Sequence, residues 1–426
     1  ADMGYIFEEL IRKFSESYDE QAGAHFTSRD IIYLMAELLV APEKAEITAE
    51  GCTKTAYDMA MGTSQMLGCL TERLQAISAD ATLTCFGQEF NPETYAIAKA
   101  DMLIKGGNAS GMKYGDTLSD DAFSGYEFDY IISNPPFGID WKREKTQVES
   151  EAKRGFDGRF GPGLPAISDG QMLFLLNGVR KLKTGSGRMA IIQNGSSLFT
   201  GDAGSGASEI RRYVIEGDLV EAIIQMPTDL FYNTGISTYI WVLTKGKTMQ
   251  RSGRVQLIDA SKCYVKRRKN IGNKRVDLDD ACIRLILRAY EGFADETCED
   301  NGLIVESKVF DNRFFGFTKV TVETAQTDEH GKPILKKGKK QPVKGASDTE
   351  IIPLSEDIDA YMKKNVLPYN PLAYIDPAKD KIGYEVPFTR LFYKFTQPTP
   401  SAEIFEEIKA LEDEETILMK ELFGNA

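Results

Sequence analysis

The residues that could do chemistry lie in the segment YEFDYIISNPPFGIDW, where a strand predicted over residues 128–132 leads to two consecutive prolines. Asn134, Pro135, Pro136 and Phe137 form this turn. Two prolines remove two backbone donors, fix two φ angles and hold the preceding residues extended, so the turn is rigid and its carbonyl groups stay free. The Asn134 amide oxygen and the Pro135 carbonyl then offer two acceptors to the two hydrogens of one planar amino group.

Binding both hydrogens of an amine favours a pyramidal nitrogen with a localised lone pair, which can attack an electrophilic methyl carbon in line. Phe137 can stack on the ring that carries the amine, although a phenylalanine at this place is more often a core residue. A target base inside a duplex must first be flipped out. This chemistry needs no imidazole, which suits a chain with two histidines.

The elements that must position this turn alternate between helical and strand patterns from about residue 30 to residue 245. The Asn-Pro pair at residues 91–92 predicts the start of one of these helices, with the asparagine as its N-cap. This alternation predicts an α/β fold with a doubly wound parallel sheet covered by helices. Ligands of such sheets bind beyond the carboxyl ends of the strands. Asp58, Glu89, Asp116 and Asn134 all follow predicted strands, so we expect them to gather at this edge.

Each of the acidic residues also has a simpler explanation. Asp58 with Gly62 fits a cofactor loop, but a strand followed by Asp-x-x-x-Gly is common by chance. Glu89 could accept from two ribose hydroxyls, as the acidic residue of dinucleotide folds does, or could only cap the next helix. Asp116, in YGDTLSDD, fits an ordinary turn as well as a ligand site.

Composition restricts the class of protein. The 426 residues are 42% hydrophobic and 27% charged, with no apolar run of membrane-spanning length and no secretory signal. The six scattered cysteines include no Cys-x-x-Cys pair, so no metal site or disulfide framework is indicated and a cytoplasmic location fits. The net charge of −13 means that any contact with nucleic acid needs a local basic patch or a basic partner.

The order of motifs resembles that of amino-group DNA methyltransferases, and most closely the modification subunit of type I restriction-modification systems. The matching segments follow the family's order and cover nearly the whole chain; they include GAHFTSRDIIYLMAELL, DMAMGTSQML, FGQEFNPETYAIAKADMLIKG, GDTL and SNPPFG. The tetrapeptide Asn-Pro-Pro-Phe alone is less specific, because RNA and protein-glutamine methyltransferases carry similar ones.

The resemblance implies a Rossmann-like methyltransferase sheet with S-adenosylmethionine as the cofactor. It assigns these residues to the cofactor: Phe26, Thr27, Asp58, Gly62, Glu89, Phe90 and Asp116. Asp58 and Gly62 would line the methionine part, with Phe26 and Thr27 beside it. Glu89 would take the ribose hydroxyls, while Phe90 packs on the cofactor's adenine and Asp116 accepts from its amine. The turn from Asn134 to Phe137 would hold the target adenine.

Four positions depart from the family's pattern. The family's cofactor loop reads Asp-Pro-x-x-Gly-x-Gly-Gly, whereas this chain has Met59 for the proline and Ser64 and Gln65 for the later glycines. Ser28 replaces the proline of the leading motif. Because close approach of a backbone to a ligand favours glycine, these changes leave open a scaffold that has lost cofactor binding. Methylation of RNA or of a protein glutamine is the other alternative.

We predict four regions: residues 1–45 as a helical lead-in, 46–262 as the catalytic domain, 263–400 as a partly helical C-terminal region and 401–426 as a docking helix. The helical pattern begins abruptly after Ala1, so we expect the family's N-terminal helical domain to be missing from this sequence. The last helix has apolar residues at four- and three-residue spacing, which suits a coiled-coil seam or packing on its own domain.

The family resemblance favours docking of that helix on a specificity subunit. The expected partners are DNA, this specificity subunit and a second copy of the chain, with a nuclease or translocase subunit left open; no membrane is expected.

Two further segments carry positive charge. Residues 141–170 form a long Gly-rich stretch that we expect to be a mobile loop, either solvated or a lid with cations near phosphates; the cations are Lys142, Arg143, Lys153 and Arg154. The stretch EHGKPILKKGKKQPVKG predicts an exposed hairpin-like insertion with a lysine cluster, made of Lys336, Lys337, Lys339 and Lys340.

Overall fold

The computed structural model describes residues 27–232, 234–395 and 400–424. The chain divides into two compact units, Ala1–Phe388 and Thr389–Ala426. Among the described residues, no helix combines the length and the apolar character that crossing a membrane requires.

Twelve α-helices occur in the described residues. In chain order, α1 to α12 are Arg29–Val40, Lys44–Ile47, Gln65–Ile77, Pro92–Ile104, Lys145–Ala152, Gln171–Lys181, Ser196–Phe199, Gly206–Glu216, Asp280–Gly292, Ile358–Tyr361, Phe388–Phe392 and Ser401–Phe423. The described strands β1 to β18 are Thr53–Asp58, Thr82–Glu89, Met112–Tyr114, Tyr130–Ser133, Arg188–Asn194, Val220–Gln225, Thr238–Thr244, Arg254–Lys262, Val265–Ile271, Lys274–Asp277, Glu296–Asp300, Leu303–Asp311, Gly316–Ala325, Leu335–Lys336, Lys339–Lys340, Pro342–Pro353, Ala373–Ile375 and Lys381–Tyr384.

A ten-stranded sheet forms the centre of the first unit, in the order β11-β12-β8-β6-β7-β5-β4-β1-β2-β3. Strands β3, β2, β1, β4 and β5 run parallel, while β7 is antiparallel to both of its neighbours. The chain leaves β1 towards β2 on one side and returns to β4 on the other, so β1 and β4 form a topological switch point. The predicted doubly wound α/β fold is confirmed, and the candidate residues follow the strands at this point.

Both faces of this sheet are covered, as alternation along β5 shows. Ala190 and Ile192 belong to the same buried cluster as the apolar face of α1. Met189 points the other way, towards Gly178 in α6, where no Cβ separates helix from strand. Because successive side chains of a strand point to opposite faces, α1 and α6 pack on opposite sides. The sheet edge with the strand ends is thus fixed by packing from both sides.

Local sequence signals set several boundaries. The N-cap predicted for the helix after β2 is confirmed, since Asn91 Oδ1 accepts from the backbone N–H groups of Glu93 and Thr94 at 3.0 and 3.1 Å. The strand before the two prolines begins at Tyr130 and not at Phe128 as predicted. Phe128 instead makes an isolated parallel bridge with Leu182.

The C-terminal part of the first unit adds an antiparallel sheet of β13, β16, β17 and β18. This sheet has its own small buried cluster, which includes Val320, Val322 and Ile352. The predicted lysine insertion is confirmed as a short antiparallel hairpin, with Leu335 paired to Lys340 and Lys336 to Lys339. All four of its lysines are exposed.

Residues 141–170 differ from the expected mobile loop. They contain α5 and a 3-10 turn, and the buried Arg159 holds this segment in place through hydrogen bonds. Its guanidinium makes three hydrogen bonds to the Glu151 carboxylate and donates to the carbonyls of Thr117 at 2.7 Å and Leu118 at 3.0 Å. Burying a guanidinium requires partners for all of its donors, so this segment is held against the end of the parallel sheet.

We expect Arg159→Met to lower the free energy of unfolding by about 3 kcal/mol, because it leaves Glu151 without its partner in a poorly solvated site. Urea denaturation measures this loss, and limited proteolysis should show new cleavage within residues 141–170. Arg154→Met is the matched control, since among the described residues the Arg154 side chain donates to the Asp157 carbonyl alone, at 3.3 Å on the surface. Equal stability of the two variants would contradict the anchoring role of Arg159.

Candidate active site

The ends of β1, β2 and β4 are joined by hydrogen bonds. Asp58 Oδ1 accepts from Ser133 Oγ at 2.7 Å, which links the last residue of β1 to the residue before Asn134. Glu89 Oε2 accepts from the Gly62 N–H at 3.0 Å, which links the last residue of β2 to the loop after β1. The structure therefore brings Asp58, Gly62, Glu89 and Asn134 to one edge of the sheet.

The Asn134 amide is buried and half satisfied. Its Nδ2 donates to Thr27 Oγ1 at 2.9 Å, while its Oδ1 has no hydrogen-bond partner among the described residues. No described residue donates to the Pro135 carbonyl either. A buried acceptor without a donor costs roughly 1–3 kcal/mol, so such an atom in a folded protein calls for an explanation. Two neighbouring free acceptors are the arrangement that an incoming amino group would satisfy.

The segment beside Asn134 is held by a buried lysine. Lys274 Nζ donates to Ser28 Oγ at 3.1 Å, to Asp30 Oδ2 at 2.9 Å and to the Leu230 carbonyl at 3.0 Å. Because Ser28 follows Thr27, this lysine fixes the residue whose hydroxyl orients the Asn134 amide. Phe26, the other cofactor residue expected here, lies outside the described residues.

Asp58 is a buried carboxyl in an unusual electrostatic state. Burial raises the pKa of Asp58 to about 7, against the opposing hydrogen bonds from Ser133 and Ala60; the nearby charge of Glu89 raises it further. Burial also raises the pKa of Glu89. Since an opposite charge lowers a carboxyl pKa, this edge of the sheet favours a cationic ligand.

Glu89 supports the start of the next helix through its N-cap residue, Asn91, and does not cap the helix itself. Its Oε1 accepts from the Asn91 N–H at 2.9 Å, and its Oε2 accepts from Gly62. Each carboxylate oxygen accepts more than one hydrogen bond, so the ribose role stays open as a prediction.

Asp116 also takes a turn role. Its Oδ1 accepts from the backbone N–H groups of Leu118 and Ser119, both at 2.8 Å, and no described hydrogen bond joins it to the other candidates. The neighbouring Thr117 does reach the site, since its Oγ1 donates to the Met59 carbonyl at 2.6 Å.

The aromatic candidates differ in exposure. Phe90 is 60% exposed just beyond β2. Phe137 is only 9% exposed and belongs to the main buried cluster, which includes the apolar face of α1. Phe90 is therefore accessible to a ligand ring, whereas most of the Phe137 surface already contacts protein.

The altered glycine loop keeps an open space next to Gly62. Gly62 has φ +53°, and a Cβ at this position would meet no atom within 4 Å. Met59 turns its side chain into the core, where its sulfur lies 3.6 Å from Asn177 Nδ2. Ser64 is buried with φ +64°, a left-handed conformation that suits glycine. These residues fit a small ligand beside Gly62, at the cost of strain at Ser64.

Several residues of the site carry no sequence signal that identified them. Ser133 lies next to the proline turn and bonds Asp58, but a serine at a strand end is unremarkable in sequence. Asp169 Oδ1 accepts from the Gly138 N–H at 3.2 Å, and its Oδ2 accepts from Gln171 Nε2 at 2.6 Å. The only hint was a polar pair, Asp169 and Gln171, immediately at the start of a helix.

Comparison with known proteins gives the class. A family model described as N-6 DNA Methylase matches residues 1–329. The chain therefore belongs to the N-6 DNA methylase family.

The individual relatives are type I methylase subunits. The chain is 27% identical over 320 residues to the Type I restriction enzyme MjaIX methylase subunit of Methanocaldococcus jannaschii, covering 74% of this chain and 52% of the relative. It is 26% identical over 373 residues to the HindI methylase subunit of Haemophilus influenzae, covering 85% and 77%.

A solved structure is similar as well. It is the type I restriction-modification system methyltransferase subunit from Streptococcus thermophilus, with a TM-score of 0.58 and 28% identity over 72% of this chain and 60% of that one. The chain spans about half the length of several relatives that it matches.

The raised pKa of Asp58 gives a pH-dependent stability. Between about pH 4 and pH 7 the folded carboxyl keeps its proton while the unfolded one loses it, so this residue makes the protein less stable as pH rises through that window. Asp58→Asn removes the effect. Relative to wild type, the variant should gain up to about 4 kcal/mol between pH 4 and pH 8.

Urea denaturation of both proteins across this pH range measures the gain. Asp140→Asn is the control, because hydrogen bonds from the Lys142 backbone and side chain hold the pKa of this exposed carboxyl below its ordinary value. Parallel stability curves for wild type and Asp58→Asn would refute a protonated Asp58.

Ser64→Gly tests the strain in the altered loop. We expect the variant to be more stable by about 0.5–1 kcal/mol, because glycine adopts a positive φ without steric cost and the hydroxyl makes only a 3.4 Å contact with the Ala98 carbonyl. Ser64→Ala keeps the strain and loses the hydroxyl, so it should be no more stable than wild type. Thermal unfolding distinguishes them, and equal shifts in both variants would exclude the conformational explanation.

Proposed function

We propose that this chain transfers a methyl group from S-adenosylmethionine to the N6 amine of a flipped adenine in DNA, as the modification subunit of a type I restriction-modification complex. The observation that carries the proposal is the buried Oδ1 of Asn134 beside the Pro135 carbonyl, two acceptors to which no residue described in the structure donates. Membership of the N-6 DNA methylase family supports the same chemistry.

The two acceptors act on the target amine. Asn134 Oδ1 takes one N–H hydrogen and the Pro135 carbonyl takes the other, which localises the nitrogen lone pair and aims it away from the turn. Thr27 holds the amide nitrogen, so the oxygen is the atom presented to the target. Pro136 keeps the Pro135 carbonyl in a fixed direction, so no reorganisation is needed when the amine arrives.

The cofactor, when bound, supplies an electrophilic methyl group. Gly62 borders the open space that would receive its methionine part, and the positive charge of the cofactor would lower the pKa of Asp58 and Glu89, so that both would face it as carboxylates. Glu89 would accept from the ribose hydroxyls, and the exposed Phe90 would pack on the cofactor's adenine. Thr27 and Phe26 would flank the methionine part, and Asp116 would accept from the adenine amine.

Phe137 is proposed to contact the flipped base with the part of its ring that the core leaves uncovered. Its burial suits a fixed wall that resists displacement more than a mobile platform. Stacking here would add about 1–3 kcal/mol per base.

The proposed partners follow from charge and from the terminal helix. A chain of net charge −13 needs help to approach DNA, which a basic specificity subunit would give. Helix α12 exposes apolar residues at the predicted spacing; they are Ile404, Ile408, Leu411, Leu418 and Leu422. We propose that this face docks on the specificity subunit, with a second copy of the chain and a nuclease or translocase subunit completing the complex.

The test of the activity uses the chain co-expressed with its specificity subunit, labelled S-adenosylmethionine and mixed-sequence DNA. Wild type should produce N6-methyladenine, and Asn134→Ala should lower the rate at least about 100-fold, as the loss of one preorganised polar contact to a transition state does. Digestion of the DNA and identification of the labelled nucleoside give the measurement.

Asn312→Ala is a matched control. Asn312 Oδ1 is also buried and unpartnered among the described residues, but its Nδ2 donates to Asp218, which precedes β6 at the opposite edge of the sheet. This variant should keep full activity. Label in RNA or protein instead of DNA would support the alternative substrates, and absence of cofactor binding in wild type would support the scaffold.

A further inference from the structure

A basic hairpin lies beside the candidate site, in a part of the chain that the motifs did not single out. We call residues 262–277 the basic hairpin; it comprises the last residue of β8, strands β9 and β10 and their connections. Seven of its sixteen residues are lysine or arginine and one is acidic. The basic hairpin is therefore a region of positive charge in a chain whose net charge is −13.

Two of the seven cations are already paired inside the protein. Arg267 pairs with Asp277, and Lys274 pairs with Asp30 at 2.9 Å and with Asp277 at 3.2 Å. The other five are exposed, and none forms an ion pair with a residue that the structure describes; they are Lys262, Lys266, Arg268, Lys269 and Arg275. Five unpaired cations on one short hairpin are available for a polyanion.

The basic hairpin is anchored at its turn by backbone hydrogen bonds. The Asn273 N–H donates to the Tyr232 carbonyl at 2.7 Å, and the Arg275 N–H donates to the Asp229 carbonyl at 2.8 Å. Both acceptors belong to the segment after β6, which runs parallel to β1 and β4 through the sheet. The hairpin is therefore attached to the edge of the sheet where the candidate site lies.

The buried Lys274 connects this hairpin to the catalytic turn. Its ammonium group donates to Ser28 Oγ, and the adjacent Thr27 accepts from Asn134 Nδ2. Lys274 and Asn134 therefore contact two consecutive residues, Ser28 and Thr27. Lys274 is 1% exposed and serves as the anchor, while the exposed cations beside it point to solvent.

We propose that the exposed cations of the basic hairpin bind the phosphates of the DNA strand that carries the target base. The proposal rests on the function proposed above, and names the surface of this chain that holds the backbone while the base enters the site. Phosphate contacts fix position and register without reading sequence, which suits a chain whose partner would read the sequence. They also compensate locally for the overall negative charge.

The lysine insertion of β14 and β15 offers an internal comparison. It has a similar excess of exposed lysines, but it extends from the antiparallel sheet of β13 and β16. No hydrogen bond described for this insertion reaches the β6 segment or the residues around Asn134. Equal removal of charge from the two hairpins therefore separates a local role from a general electrostatic effect.

The experiment measures binding of the chain, assembled with its specificity subunit, to a fluorescent mixed-sequence DNA duplex at several KCl concentrations. One variant carries Lys266→Gln, Arg268→Gln and Lys269→Gln; the control carries Lys336→Gln, Lys337→Gln and Lys339→Gln. Each lost phosphate contact removes about 0.9 from the slope of log K against log salt. The first variant should lose about 2–3 from this slope and bind at least about tenfold more weakly, whereas the control should match wild type.

Two results would overturn the proposal. The first is an unchanged slope in the basic-hairpin variant, and the second is an equal loss in the control, which would indicate general electrostatics. All substitutions are at exposed positions, and thermal unfolding checks that both variants fold.

The same samples keep this proposal separate from the proposed function. If wild type methylates adenine but the basic-hairpin variant keeps the wild-type salt dependence of DNA binding, only the proposed DNA-binding surface is wrong. If the slope falls as expected but wild type forms no methylated adenine, the surface stands as a DNA-binding surface and the catalytic proposal fails.

Discussion

The orientation of the Asn134 amide is the constraint on which the site depends. Thr27 accepts from the amide nitrogen, and this leaves a buried oxygen unsatisfied beside a proline carbonyl that no described residue reaches. Such an arrangement is unfavourable in the free protein and favourable once an amine fills it. The surrounding structure must therefore keep the turn from relaxing. Strand β4 fixes the residues before the turn, and Asp169 accepts a hydrogen bond from the Gly138 N–H after it.

Much of the fold could be predicted, because it depends on local patterns of apolar residues and on residues at the ends of helices. The periodicity of apolar residues located the helices and strands of the parallel sheet, and the Asn91-Pro92 pair located a helix start. The strand ends could be expected to meet because parallel strands share one edge. The start of β4 was misplaced, since Phe128 is apolar and buried whether or not it belongs to the strand. Helix α5 was missed because Val148 is its only buried residue, so its polar sequence resembles a loop.

The parts of the site that could not be predicted depend on long-range polar contacts. Lys274 lies 244 residues from Asp30, and Arg159 lies 42 residues from the Thr117 carbonyl that it meets. A lysine or arginine in a charged stretch is usually solvated, so nothing local marks these two as buried anchors. The same reasoning explains why the basic hairpin was overlooked: its charges are ordinary in sequence, and only the anchoring of its turn gives them a position.

The departures from the family's motifs have different physical consequences. Ser64 takes a backbone conformation that favours glycine, so this change costs stability next to the cofactor loop. Ser28 replaces a proline, which has no side-chain acceptor, and its hydroxyl accepts from Lys274. The second change thus adds a contact between the leading segment and the basic hairpin. Because Ser28 is adjacent to Thr27, which accepts from Asn134 Nδ2, this contact ties the orientation of the Asn134 amide to the surface proposed to hold the DNA backbone.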